Sequence, residues 1–230
     1  MIGSGGALGD DEPRGAVAGG TPSGFAVGIM ARAPVAGETK TRLIPALGAE
    51  GAAQLQRKLT LQALQTAVQA ARQAVVLFTA GDARHPFWAE CTDRFGVRCI
   101  GQRGAHLGAR MLHALQTLLQ AHETAALIGT DCPALQPRHL IDLRDGVQTP
   151  RMAFIPAEDG GYVAVAAREP LASAFGTLDW GTSAVMAQTR AALLAGGWRA
   201  GHDWAELAPL WDLDRPADLE RARREGWLPD

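Results

Sequence analysis

The chain has 230 residues, is 47% hydrophobic and 20% charged, and carries a formal net charge of −2 at pH 7. That length suits one sizeable α/β domain and is short for two, and the composition is that of a globular protein. The near-neutral charge excludes the bulk basic surface that recruits nucleic acid or an anionic membrane, so any anion site must be local.

Residues 1–24 hold eight glycines and almost no large apolar side chains. Such a segment buries too little surface to offset its ordering entropy, and it is expected to be a disordered tail. Its GSGGALG lacks a preceding strand and the G-x-G-x-x-G spacing of a dinucleotide fingerprint. From residue 25 onward the chain alternates. Short apolar runs at Phe25–Met30, Ala74–Thr79, Val97–Ile100, Ala125–Gly129, Met152–Pro156 and Tyr162–Ala166 are continuous rather than alternating, as in strands buried on both faces. Helical spacing separates them, over 49–72, 106–120, 182–195 and 216–225, with Pro216 suited to a first helical turn. Strand–helix alternation predicts a single α/β domain over 25–230, with a mostly parallel central sheet flanked by helices.

In such sheets ligands bind beyond the carboxyl ends of the strands. The first strand ends in MARAPVAGETKTRLIP, where Arg32, Lys40 and Arg42 stand among Pro34, Gly37 and Pro45. A kinked loop of this kind can aim cations and backbone N–H groups at a phosphate, or it can simply be a solvated turn. It is not a Walker A loop, because Thr39 stands where that motif needs glycine. The fourth strand ends in GTDCP, whose Asp131 is suited either to a hard cation or to capping a following helix. The fifth ends in PAEDGGY: Asp159 with Gly160 and Gly161 is either a ligand-facing turn or a plain hairpin turn. In WDLD, Asp212 and Asp214 fall two apart and would share one side of an extended segment, and Asp214 is also a candidate helix cap. In QRGAHLGARM, glycines including Gly108 stand with Arg103, His106 and Arg110 at a helix start as a second anion contact, and Arg110 otherwise belongs to a solvated helix face.

Other chemistries find little support. Cys91, Cys99 and Cys132 are odd in number and form no C-x-x-C, which argues against a disulfide framework or structural zinc and fits a reducing cytosol. The histidines show no H-x-x-x-H, and there is no G-x-S-x-G. No apolar run approaches the roughly 18 residues of a membrane span. No signal-peptide pattern opens the sequence, so a cytoplasmic location is expected. The sequence carries no signal of oligomeric state.

Taken together, MARAPVAGETKTRL, QRGAHLGARM, IGTDCPAL, PAEDGGY, DWGTS and WDLDRPADL resemble, in the same order, the motifs of the rSAM/selenodomain-associated transferase 1 group. That group is glycosyltransferase-like, within the nucleotide-diphospho-sugar transferase (GT-A) superfamily. The resemblance spans about residues 25–220. A more distant similarity is to 2-phospho-lactate guanylyltransferases. Arg32 departs from the pattern, which usually has Lys there; charge is kept but donor geometry changes. The resemblance implies a Rossmann-like GT-A fold, a nucleotide or nucleotide-sugar substrate over the strand ends, and Mg²⁺ or Mn²⁺. It implies a metal site at Asp131, Asp212 and Asp214. It implies a phosphate-facing loop of Arg32, Lys40 and Arg42, and Gly37, Gly108, Arg110, Gly160 and Gly161 are further candidate nucleotide or phosphate contacts. Asp159 and Lys40 are the expected catalytic groups. The expected activity is transfer from a nucleotide-activated substrate, with glycosyl transfer first, nucleotidyl transfer second, and non-catalytic binding a third reading.

Overall fold

The structure, a computed structural model, describes residues 24–227. The Gly-rich segment over 1–24 therefore lies, but for Gly24, outside the described residues. Seven strands form one sheet: β1 (Phe25–Arg32), β2 (Val75–Ala80), β3 (Arg98–Gly101), β4 (Thr124–Ile128), β5 (Met152–Pro156), β6 (Tyr162–Ala167) and β7 (Trp204–Glu206). Their order is β3-β2-β1-β4-β6-β5-β7. β6 runs antiparallel to both neighbours, and the other pairs are parallel. Six helices connect and cover them: α1 (Ile44–Ala71), α2 (Pro86–Phe95), α3 (Leu107–Leu119), α4 (Pro137–Asp145), α5 (Val185–Ala195) and α6 (Pro216–Arg224).

The continuous apolar runs become central strands because both faces of the sheet are covered. Val27, Ile29, Leu77 and Ile128 pack on one face with Leu64 and Ala67 of α1 and Leu140 of α4. Ala26, Phe78 and Leu127 pack on the other with Met111, Leu115 and Leu118 of α3. Gly28 leaves room for its neighbours on this face: a Cβ there would lie 2.5 Å from Leu127 of β4, 2.8 Å from Phe78 of β2 and 3.1 Å from Leu118 of α3. The long first helix breaks at Gly48 (φ 71°, ψ 167°), so its regular part begins at residue 49, as the apolar spacing predicts.

Three elements carry no strong sequence pattern. α2 and α4 are short, start at prolines and bury few side chains, only Leu140 and Leu143 in α4. β7 has three residues and sits at the sheet edge beside β5.

A third apolar cluster positions the site. Trp211 and Leu213 bury against Leu43, Leu55 and Leu59, together with Leu219 and Ala222 of α6. Because side chains alternate along an extended segment, burying Trp211 and Leu213 turns Asp212 and Asp214 the other way. Leu213 N–H donates to the Asp131 carbonyl at 2.7 Å, so this segment is stitched to the end of β4.

Candidate active site

The loop after β1 turns tightly. The Val35 carbonyl accepts from the Glu38 and Thr39 N–H groups and from the Thr39 hydroxyl. Lys40 then takes a left-handed backbone (φ 49°, ψ 40°), uncommon for a non-glycine residue. Its side chain turns inward and is only 4% exposed. The ammonium lies 2.5 Å from Asp131 Oδ1 and 2.7 Å from Asp214 Oδ1, and it donates to the Leu213 carbonyl at 2.6 Å. An ammonium has three donors, and all three are met here by protein oxygens. Burial disfavours the charged amine, but the two carboxylates outweigh it and hold the Lys40 pKa above its ordinary value. Arg32 and Arg42 differ: both are exposed, and among the described residues neither has a carboxylate within ion-pair distance.

The carboxylates come from three chain segments. Asp131 follows β4, and its oxygen accepts from Lys40, with the Thr130 hydroxyl at 3.4 Å. It does not cap α4, whose start is closed by a reciprocal pair of Gln136 and His139. Asp214 likewise does not cap α6. There Asp218 reaches back to the Asp214 and Arg215 N–H groups, at 3.0 and 2.7 Å. Asp159 sits in the β5–β6 hairpin, where its Oδ1 accepts from the Gly161 N–H at 2.9 Å. PAEDGGY is thus a hairpin turn and a site wall together. Asp212 is pushed up to about 8 by burial first, then by the charges of Asp131, Asp159 and Asp214, against a weaker opposing effect of Lys40.

Two adjoining clefts result. One, of about 380 Å³, is lined by Arg32, Thr39, Lys40, Arg42, Gln56 and Thr130. The other, of about 450 Å³, carries Asp131, Asp159, Asp212 and Asp214 opposite Leu107, Met111, Tyr162 and Trp180. Met30, Arg42, Asp131 and Asp214 line both and form the boundary. Cys132 also faces the second cleft, but burial, then the charge of Asp212, pushes its thiol up to about 12, so it is not a poised nucleophile.

Of the residues expected from sequence, Arg32, Lys40, Arg42, Asp131, Asp159, Gly161, Asp212 and Asp214 line the clefts. Gly37, Gly108, Arg110 and Gly160 do not. Gly37 serves a turn, at φ 83° with open space around it. Gly108 is a packing glycine: a Cβ there would meet the Phe175 carbonyl at 2.1 Å. Gly160 packs in the same way on Ser183, also at 2.1 Å. Arg110 turns to the Gly104 carbonyl. The apolar wall was not expected. Its residues come from α3, β6 and the loop before α5, and nothing in their spacing joins them.

The donor set suits a hard divalent cation, since it offers only carboxylate oxygens and an excess of negative charge. Among the described residues, however, no three Asp, Glu, His or Cys side chains stand close enough as placed to share an ion. The Lys40 ammonium lies between Asp131 and Asp214 instead.

A family model described as "Uncharacterized protein conserved in bacteria (DUF2064)" matches residues 60–182, just over half of the chain. The chain belongs to the DUF2064 family. The DUF2064 match includes Asp131, Asp159 and Trp180 and stops short of the β1 loop and of Asp212 and Asp214. No curated protein matches the chain. Among solved structures, a protein from Desulfovibrio desulfuricans G20, named provisionally as a nucleotide-diphospho-sugar transferase, is 25% identical with a TM-score of 0.77, covering 89% of this chain and 88% of its own. A CMP:2-keto-3-deoxy-manno-octonic acid synthetase complexed with CTP is 17% identical with a TM-score of 0.53, covering 89% of this chain and 98% of its own. A 4-diphosphocytidyl-2C-methyl-D-erythritol synthase from Anaerococcus prevotii is 8% identical with a TM-score of 0.58, covering 89% of this chain and 99% of its own. The single α/β domain therefore has the fold of nucleotidyl- and glycosyltransferase-like proteins. Among the described residues no helix is long and apolar enough to cross a membrane.

Proposed function

We propose that this chain is a metal-dependent transferase that uses a nucleotide-activated, diphosphate-bearing substrate, in the manner of a glycosyltransferase. The observation that carries the reading is the arrangement of charge around one boundary: Arg32 and Arg42, outside any ion pair among the described residues, share a cleft with Glu38, Asp131 and Asp214, and Asp159 and Asp212 stand in the cleft beside it. A diphosphate lying there meets two guanidinium groups that no protein carboxylate engages among the described residues. Arg32 and Arg42 would bind its oxygens and offset charge that builds as the sugar–phosphate bond breaks. Asp131, Asp212 and Asp214 would hold Mg²⁺ or Mn²⁺, which when bound neutralises phosphate charge and polarises the leaving group.

Lys40 takes a different part from the one its motif suggests. With its donors met, it orients Asp131 and Asp214 and is a positioning residue. Asp159 is the acceptor-facing base: Gly161 holds its Oδ1, and Oδ2 has no protein partner among the described residues. Membership of the narrower rSAM/selenodomain-associated transferase 1 group is part of the same proposal and rests on the motif order.

Nucleotidyl transfer is the second reading, supported by the likeness in fold to the CTP-bound synthetase. Calorimetry with a panel of nucleotides and nucleotide sugars, with and without Mn²⁺, tests the main claim. The expected result is metal-dependent binding of at least one nucleoside diphosphate sugar. Binding of none of the panel would sink the nucleotide claim. Release of pyrophosphate from a nucleoside triphosphate would favour the second reading.

A further inference from the structure

The second cleft has a chemistry that the first does not. Its open side carries Leu107, 40% exposed despite its apolar side chain. Behind it Tyr162 and Trp180 meet edge to face, with ring centroids 6.3 Å apart and planes at 81°. The Trp180 N–H is already given to the Gly176 carbonyl, so the indole offers the cleft only apolar surface. The Tyr162 hydroxyl has only the Met111 sulfur, at 4.0 Å, as a partner among the described residues. Sulfur is a weak acceptor, so this phenol remains available to a ligand oxygen. The rim opposite carries four carboxylates and one cation, Arg42.

We propose that this cleft takes the acceptor of the transfer, and that the acceptor is an uncharged alcohol with an apolar body rather than a phosphorylated compound. The proposal rests on the glycosyl-transfer reading above. A divalent cation, Lys40 and Arg42 together offset the four carboxylate charges, and the donor's diphosphate then brings further negative charge and engages those cations. A phosphorylated acceptor would enter that field with no cation left to meet it, whereas a hydroxyl pays no such penalty. The apolar body would lie on Leu107 and Trp180, and the Tyr162 hydroxyl would bond an oxygen of the acceptor. In the step itself the acceptor oxygen attacks the sugar's anomeric carbon and a C–O bond forms. The bond from that carbon to the diphosphate oxygen breaks, and the nucleoside diphosphate leaves with the electron pair. The hydroxyl proton passes to Asp159 and then to solvent.

Two probes share one ring and differ in charge: phenyl β-D-glucopyranoside and phenyl phosphate. Saturation-transfer NMR on the full chain reads the binding of each. The neutral probe should bind, and Leu107→Glu, at an exposed position that keeps the fold, should weaken it at least fivefold. Trp180→Ala, checked by thermal melting, should do the same. Phenyl phosphate should be insensitive to Leu107→Glu and should lose affinity in Arg32→Ala. The proposal is overturned if phenyl phosphate binds the wild type more tightly than the glucoside and loses affinity in Leu107→Glu. It is overturned equally if neither probe responds to Leu107→Glu. The nucleotide titrations report separately. If they succeed while the probes fail, the acceptor assignment falls alone; if they fail while the probes behave as stated, the cleft stands and the transferase reading falls.

Discussion

The two clefts share a wall yet handle charge in opposite ways. On the β1 side, Arg32 and Arg42 are exposed and free of carboxylates among the described residues. Between them and the carboxylates stands Lys40, buried and bonded to two acids and a carbonyl. Three cations within eleven residues of one loop are therefore placed in two ways: an exposed pair of guanidiniums outside any ion pair among the described residues, and an ammonium that cross-links strand ends. Burial and donor count separate them, and net charge does not.

Breaking the carboxylate side should cost stability first. Gly160→Ala puts a Cβ 2.1 Å from the Ser183 carbonyl at a backbone φ of 95°. It should lower stability by about 3 kcal/mol, read as a fall in denaturation midpoint. Gly37→Ala, with the same sign of φ and open space, should lose only about 1 kcal/mol. Equal losses would mean that Gly160 is not a packing glycine.

Lys40→Met should lower stability by about 2 kcal/mol. The usual cost of orphaning a buried ion pair is discounted because Asp131 and Asp214 are 42% and 39% exposed. A variant that melts like the wild type but loses nucleotide affinity would return Lys40 to a phosphate contact. Arg32→Ala and Arg42→Ala should show the reverse pattern. Each should weaken nucleotide binding roughly tenfold, about 1.4 kcal/mol, with little change in melting. Unchanged affinity in both would reduce the β1 loop to a solvated turn.

Much of this was legible in the sequence, and what was not has a physical reason. The central strands are continuous apolar runs buried on both faces, a signal that needs no partner to be read. The acids were legible because strand ends in a parallel sheet converge. The pairing of Lys40 with Asp214 was not, because it joins residues 174 apart and depends on Trp211 and Leu213 burying against Leu43, Leu55 and Leu59. The glycines misled for a related reason. Gly108 and Gly160 sit in phosphate-binding contexts by local spacing, yet each is needed because another backbone passes within contact distance. α4 left little trace because it buries two leucines and is otherwise polar.

The finest test of the contrast is its pH dependence. Asp212 has a folded-state pKa of about 8 against an ordinary 3.8. Because the folded value is raised, the native state prefers this carboxyl protonated. Its ionisation imposes no cost below about pH 4, where it is protonated folded or unfolded. The cost grows as pH rises from about 4 to about 8 and is constant above that. Metal-free protein should therefore lose stability across that window through this group. In the proposed metal site, a divalent cation at Asp131, Asp212 and Asp214 would favour the carboxylate and oppose the loss. The melting-temperature gain on adding Mg²⁺ should then be larger at about pH 9 than at about pH 6, by roughly 3 °C, the equivalent of about 1 kcal/mol for a chain of this size. Asp212→Asn should flatten the difference, while Arg32→Ala, on the other side of the boundary, should leave it intact. A gain that is the same at both pH values in the wild type would remove Asp212 from the metal site and leave Lys40 as the cation that Asp131 and Asp214 were built to hold.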